Sequence, residues 1–128
     1  MERATIQAAS TKWYVLAGLA RHIRAGMALL DVGAAAATIA VAAYDAPAQT
    51  LVVWATNGDA SSALPLTVDL SSFGGACRSL PVTRFATDFS GKGDLYTRHD
   101  DITMAGASFT ATLKPSSAQT FVVAGCAK

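Results

Sequence analysis

The sequence predicts a mainly β protein, an antiparallel β-sandwich of about 8–9 strands preceded by one N-terminal amphipathic helix. Three observations carry that expectation. A helical period of apolar residues is confined to residues 11–24. After Gly26 the chain becomes rich in β-branched residues that alternate with period two. Turn-forming residues then recur at the short, regular spacing of a sandwich, with no βαβ pattern between them.

In the helical stretch, Trp13, Leu16, Ala20 and Ile23 fall on one face, and Ala17 and Leu19 widen the stripe. Ser10 or Thr11 is available as N-cap, Arg21, His22 and Arg24 lie where the helix dipole favours cations, and Gly26 supplies the stop. The preceding residues 3–9 either extend this helix or form a tail. The boundary drawn at this point divides the chain into residues 1–26, tail and helix, and residues 27–128, the sandwich.

Strands are expected at 27–32, 38–44, 50–56, 64–70, 82–88, 95–98, 102–104, 109–114 and 120–123. Asp45-Ala46-Pro47 and Asn57-Gly58-Asp59 are turn formers, Gly74-Gly75 loosens the chain before Cys77, and Ser90 to Gly93 reads as a flexible tip. The alanines at 34–37 favour helix and interrupt the β pattern. Leu64, Leu66, Val68 and Leu70 lie on one strand face, opposite Pro65, Thr67 and Asp69. Residues 50–55 are apolar on both faces, as in a central strand, which makes Trp54 a core plug rather than a ligand platform. At the end of the chain Phe109, Ala111 and Leu113 alternate with polar residues, Pro115-Ser116-Ser117 breaks the run, and Phe121 to Val123 begins another apolar strand. The pair reads as a closing hairpin.

Composition bounds the function. The 128 residues suit one domain able to bury a core. Charged residues are 15% of the chain, against about 25% in an average soluble protein, so Ser, Thr, Gly and Ala must cover much of the surface. A net charge of +1 with scattered Lys and Arg makes no basic stripe, which argues against nucleic acid. The apolar stretch from Met27 to Ala46 is interrupted by Asp31 and Gly33 and closed by Asp45, and so reads as two strands and not as a membrane span. The first residues have no apolar h-region, so no signal peptide is read there. Asn57 is followed by Gly58 and Asp59, which leaves no N-glycosylation sequon. Cys77 and Cys126 have no metal or redox spacing, and are either two buried thiols or one disulfide.

Catalytic motifs are sparse. Glu2 is the single glutamate, and the eight aspartates are spread over turns and strand exteriors. Asp100 and Asp101, with His99, have the chemistry of a calcium or magnesium ligand set, but no further acidic residues cluster beside them and the triplet reads as a polar loop between strands. His22, among arginines at a helix end, reads as a surface or interface residue. A zinc site would need both cysteines and both histidines to converge, and neither Gly-x-Ser-x-Gly nor a phosphate loop is present. No cofactor and no metal are expected.

Several stretches, in order, resemble the C-terminal β-sandwich region, with the last barrel helix, of glycoside hydrolase family 30, in particular its fungal endo-β-1,6-galactanase-like members. Residues 12–26, Lys-Trp-Tyr-Val-Leu-Ala-Gly-Leu-Ala-Arg-His-Ile-Arg-Ala-Gly, resemble the final barrel helix and its Arg-aromatic-Ile-Arg-Pro-Gly-like ending. Residues 38–44 and 50–57 resemble a strand pair closing at Asn, and residues 66–73, 82–87 and the final pair complete the set. His22 stands where the family pattern has an aromatic, and Ala25 where it has proline.

The resemblance implies a retaining glycoside hydrolase in full-length relatives, whose two catalytic glutamates lie on barrel strands and match no position here. It therefore implies that this chain is a non-catalytic module supporting a missing barrel. It also implies secretion, and with it a disulfide between Cys77 and Cys126 that pins the C-terminus. The competing readings are a stand-alone lectin-like carbohydrate-binding protein and a small interaction protein. For sugar stacking the candidates are Tyr44 beside Asp45, and Tyr96 near Arg98 and Asp100; the plainer reading of both tyrosines is partly buried strand ends. For an interface, including a homodimer, the candidates are an open sheet edge and the helix face of Trp13, Leu16, Leu19, Ala20 and Ile23.

Overall fold

A computed structural model describes residues 17–30, 38–71, 73, 77–90 and 92–127. Among these residues eight antiparallel strands form two sheets. They are β1 (Ala28–Leu30), β2 (Thr38–Asp45), β3 (Thr50–Asn57), β4 (Leu64–Asp69), β5 (Pro81–Asp88), β6 (Thr97–Thr103), β7 (Ser108–Leu113) and β8 (Ser117–Ala124). The large sheet has the order β1-β2-β3-β8-β5-β6, and β4 pairs with β7 to make the small one. The expected sandwich is therefore present, and β3 is central, flanked by β2 and β8.

Alternation decides which side chains meet between the sheets. Leu51, Val53 and Ala55 of β3 and Phe121 and Val123 of β8 face Phe109, Ala111 and Leu113 of β7, all within one buried cluster. Phe109 and Phe121 touch across the gap with ring centroids 5.5 Å apart. On β4, Leu64, Leu66 and Val68 alternate with exposed Pro65, Thr67 and Asp69, as the sequence pattern requires. Asn57 is fully buried and staples one sheet to the other: its Nδ2 donates to the carbonyls of Ser62 at 2.8 Å and Leu113 at 3.1 Å, while its Oδ1 accepts from the Asp59 amide at 2.9 Å.

Four expectations need correction. The final two strands are not a hairpin: β7 belongs to the small sheet and β8 to the large one. The turn between them carries the chain across the sandwich, with Ser116 at φ +49° and its amide donating to the Asp59 carbonyl. Segments 95–98 and 102–104 are not separate strands, because β6 runs unbroken from 97 to 103 beside an irregularity in β5 between Val82 and Arg84. His99, Asp100 and Asp101 thus lie within a strand, not a loop. Trp54 is not a plug between the sheets; with Leu51, Val53 and Ala55 facing inward, period two sends it to the opposite face.

Among the described residues only 17–20 are helical, although the pattern predicted helix to 24. The amides of Arg21 and Ile23 still donate to the carbonyls of Ala17 and Leu19, and Gly26 adopts φ +92° in the turn into β1. Contacts made by His22 with the sheet, described below, override the local helical preference. Trp13, Leu16, the residues of the 34–37 alanine run and Gly74-Gly75 lie outside the described residues. Cys77 and Cys126 are both fully buried and form a disulfide across a separation of 49 residues. The Cys126 amide also donates to the Gln49 carbonyl at 2.8 Å, so the end of the chain is fixed to the β2–β3 turn.

Candidate functional site

The large sheet is buried on both faces near its centre. On the face away from the small sheet, Ala43 is 0% exposed, Val52 2%, Thr120 1% and Ala118 4%. Register places Val52, Trp54 and Thr56 of β3 beside Val122, Thr120 and Ala118 of β8, and these beside Thr83, Phe85 and Thr87 of β5. Such a face is that of a sheet that takes a second layer.

The helical turn at 17–20 rests on this face, and its fit is close. The Thr120 hydroxyl donates to the Gly18 carbonyl at 2.9 Å. A Cβ added at Gly18 would stand 2.9 Å from that hydroxyl oxygen and 3.8 Å from Nε1 of Trp54. Gly18 therefore permits an approach that alanine would not. Nearby, the indole N–H of Trp54 is buried with no hydrogen-bond partner among the described residues. Natural structures rarely leave such a donor unpaired.

Beyond the turn lies a cluster of rings. His22 Nε2 and the Tyr96 hydroxyl are 2.6 Å apart, Tyr96 stacks on Phe85 at 4.9 Å between centroids, and His22 lies 4.8 Å from Phe85. The Arg21 guanidinium stands over the Tyr96 ring at 5.6 Å. Tyr96 reaches this position through a left-handed backbone at φ +51°, an uncommon conformation for an aromatic residue, held by its amide donating to Thr87 Oγ1 at 2.9 Å. Burial, reinforced by Arg24 and Arg21, lowers the pKa of His22. Burial raises that of Tyr96, partly opposed by Arg21.

The other face of β5 and β6 carries a polar seam. Arg84 makes a two-pronged ion pair with Asp101, 2.7 Å at the shorter contact, and donates to Gln119 at 3.3 Å. His99 pairs with Asp94 at 2.9 Å. A cleft of about 160 Å³ opens among Arg84, Asp88, Asp94, Lys114, Ser117 and Gln119. That is smaller than the roughly 300 Å³ at which small-molecule pockets begin. Asp101 is held below the ordinary carboxylate range chiefly by its hydrogen bond from Arg84.

The sequence candidates are dispersed. Tyr44 is 7% exposed and meets Phe73 edge-on at 4.8 Å, so it offers no open ring face for a sugar to stack on. Asp45 caps the β2–β3 turn, accepting from the Ala48 amide at 3.3 Å. Tyr96 is in the ring cluster, while Arg98 and Asp100 are exposed and pair with each other at 3.2 Å. Asp100 and Asp101 point to opposite faces of β6, which prevents joint chelation, and no metal-holding group occurs among the described residues. Of the interface helix, Leu19 and Ile23 are half-buried and Ala20 is exposed. Sequence reasoning missed Phe85 and Gly18. The Thr83-Phe85-Thr87 alternation opposite Val82 and Ala86 was the available signal for the first, and a glycine inside a helical stripe for the second.

Comparisons with known proteins agree in sequence and in fold. The chain is 38% identical, over 97% of its length, to an endo-β-1,6-galactanase of Hypocrea rufa, of which it spans 25%. It superimposes on a family 30 endoxylanase of Clostridium papyrosolvens with a TM-score of 0.74 at 23% identity, covering 89% of this chain and 28% of that one. A family 30 subfamily 8 xylanase of Clostridium acetobutylicum gives the same score at 18% identity, with coverage of 89% and 28%. These two structures speak for the fold alone. No family model matches the chain. The resemblance to glycoside hydrolase family 30 is thus found again in a sequence match and in the fold, and the chain spans about a quarter of the curated relative it matches.

Proposed function

We propose that this chain is the β-sandwich module of a family 30-like glycoside hydrolase, a non-catalytic support for a catalytic barrel that lies outside these residues. The observation that carries this reading is the 38% identity along 97% of the chain to a galactanase of which it spans only 25%. The second face of the large sheet supports it. That face is buried at its centre, receives the helical turn at 17–20 through Gly18, and holds the Trp54 N–H, which has no partner among the described residues, as a surface built to carry a further layer would.

Under this reading, residues 1–26 are the remnant of the last barrel helix and residues 27–128 the sandwich. Hydrolysis with retention uses two carboxylates about 5 Å apart across the scissile bond. With Glu2 as its one glutamate, the chain leaves that pair to the barrel. The full-length protein would be secreted, consistent with the buried disulfide, and would act on a β-1,6-linked galactan. In the competing lectin-like reading, carbohydrate would be bound by Tyr96, Arg98 and Asp100, because Tyr44 is buried.

Incubation of the purified chain with β-1,6-galactan tests the reading. The expected result is no release of reducing ends at enzyme concentrations where the Hypocrea rufa galactanase digests the polymer. Hydrolysis by the chain alone would overturn it. A glycan array run in parallel separates a support module, silent on the array, from a lectin-like one whose signal is lost in Tyr96→Ala.

A further inference from the structure

At the junction of helix and sheet the side chain at position 22 is a titratable imidazole that meets two rings of the sheet. We propose that His22 is an acid-sensitive latch, whose protonation releases the segment at 17–23 from the large sheet. The proposal does not depend on what the sandwich supports.

The geometry has three parts. The His22 ring lies against Phe85 at 4.8 Å and meets the Tyr96 hydroxyl at 2.6 Å, so the segment is tied to β5 and to the residue preceding β6 at one point. Its charged surroundings among the described residues are cationic. Arg21 and Arg24 on its own segment act on it, and Arg98, which shares the Phe85 face of the sheet by register, has its charge taken up by Asp100. Tyr96 is the remaining titratable neighbour, and burial keeps its phenol protonated. An imidazolium here would be a third positive charge on one turn, half-buried, with no carboxylate among the described residues acting on it. Its attraction to the Phe85 face acts in the opposite sense but does not replace lost hydration.

The linkage has a definite sign. A histidine whose folded-state pKa lies below its ordinary 6.5 contributes fully above that value, and the contribution is lost as pH falls through the folded pKa. Among the described residues, Arg21 over the Tyr96 ring at 5.6 Å also ties the segment to this cluster. The Thr120–Gly18 hydrogen bond lies upstream.

Hydrogen exchange of the whole chain tests this at about pH 7.5 and about pH 5.0, with rates corrected for intrinsic acid and base catalysis. The reporters are the amides of Arg21 and Ile23, bonded to Ala17 and Leu19, and the internal reference is the amides of β3 and β8. The expected result is a roughly threefold to tenfold loss of protection at the reporters in acid, with β3 and β8 unchanged and no loss in His22→Phe. An NMR titration of the His22 ring should show a midpoint below 6.5 that coincides with the exchange change. If His22→Phe does not fold, His22→Gln serves, since it too cannot be charged. Equal protection at both pH values, an equal loss in the uncharged variant, or a parallel loss across β3 and β8 would overturn the proposal.

Discussion

Replacing Gly18 by alanine opposes two effects whose sizes are known. Alanine is the better helix former by about 1 kcal/mol, which taken alone predicts stabilisation. The new methyl, however, would lie 2.9 Å from Thr120 Oγ1, a hydroxyl 1% exposed and already committed to the Gly18 carbonyl. Thr120 is short and packed, so the turn must lift or the hydrogen bond must break. Leaving a buried hydroxyl unpaired costs about 1–3 kcal/mol, and the displaced packing adds to it. We expect Gly18→Ala to destabilise the chain by about 1–2 kcal/mol, read as a lower urea midpoint in far-UV circular dichroism with the disulfide intact. In a Thr120→Ala background the obstructing oxygen is gone. There the same substitution should become neutral or stabilising by up to about 1 kcal/mol, a change of sign well outside the few tenths of a kcal/mol by which independent sites fail to add. If Gly18→Ala stabilises the parent chain, or costs the same in both backgrounds, the close seating of the helical turn on the sheet is wrong.

Other perturbations probe the sandwich itself. Replacing both cysteines with alanine opens a 49-residue separation and should cost about 4 kcal/mol by the loop-entropy relation, measurable as a fall in Tm that reduction by dithiothreitol reproduces in the parent. Asn57→Ala removes the staple from β3 to the Leu113 carbonyl and strands buried partners, for an expected loss of about 2–3 kcal/mol in urea unfolding; a loss under about 0.5 kcal/mol would contradict the network. Asp101 has its carboxyl lowered below 3.8 by Arg84, so its contribution is complete above 3.8 and disappears as pH falls through the lower folded-state value. Asp101→Asn should therefore shallow the acid limb of the stability profile below about pH 4 without moving the neutral plateau comparably, and an unchanged acid limb would argue against the ion pair.

The fold class was legible because period two is a local property of the chain. Leu64, Leu66 and Val68 could be assigned to the core from spacing alone, and the apolar faces of 50–55 marked a central strand before its neighbours were known. What spacing does not encode is the partner. Phe109 to Val123 has the signature of a hairpin, yet Pro115 and a left-handed Ser116 send the two strands to different sheets, a choice fixed by the Phe109–Phe121 contact and the bonds of Ser116. Trp54 illustrates the same limit. A tryptophan in an apolar run reads as core, but which face it takes depends on register with Leu51 and Val53, and here the outward face is itself covered. Of the functional candidates, Tyr44 and Tyr96 were indistinguishable as strand-end tyrosines. Only tertiary contacts separate the first, edge-on to Phe73, from the second, held against Phe85 and His22.

The proposed role of the chain, support of a catalytic barrel, is open to direct test. A chimera of the Hypocrea rufa galactanase in which this chain replaces the matching quarter tests it most directly. The expected chimera is a soluble enzyme whose kcat on β-1,6-galactan stays near the parent's, whereas deletion of that quarter leaves an insoluble or inactive protein. A chimera that folds but has no galactanase activity, or a deletion that remains soluble with full activity and undiminished Tm, would contradict it.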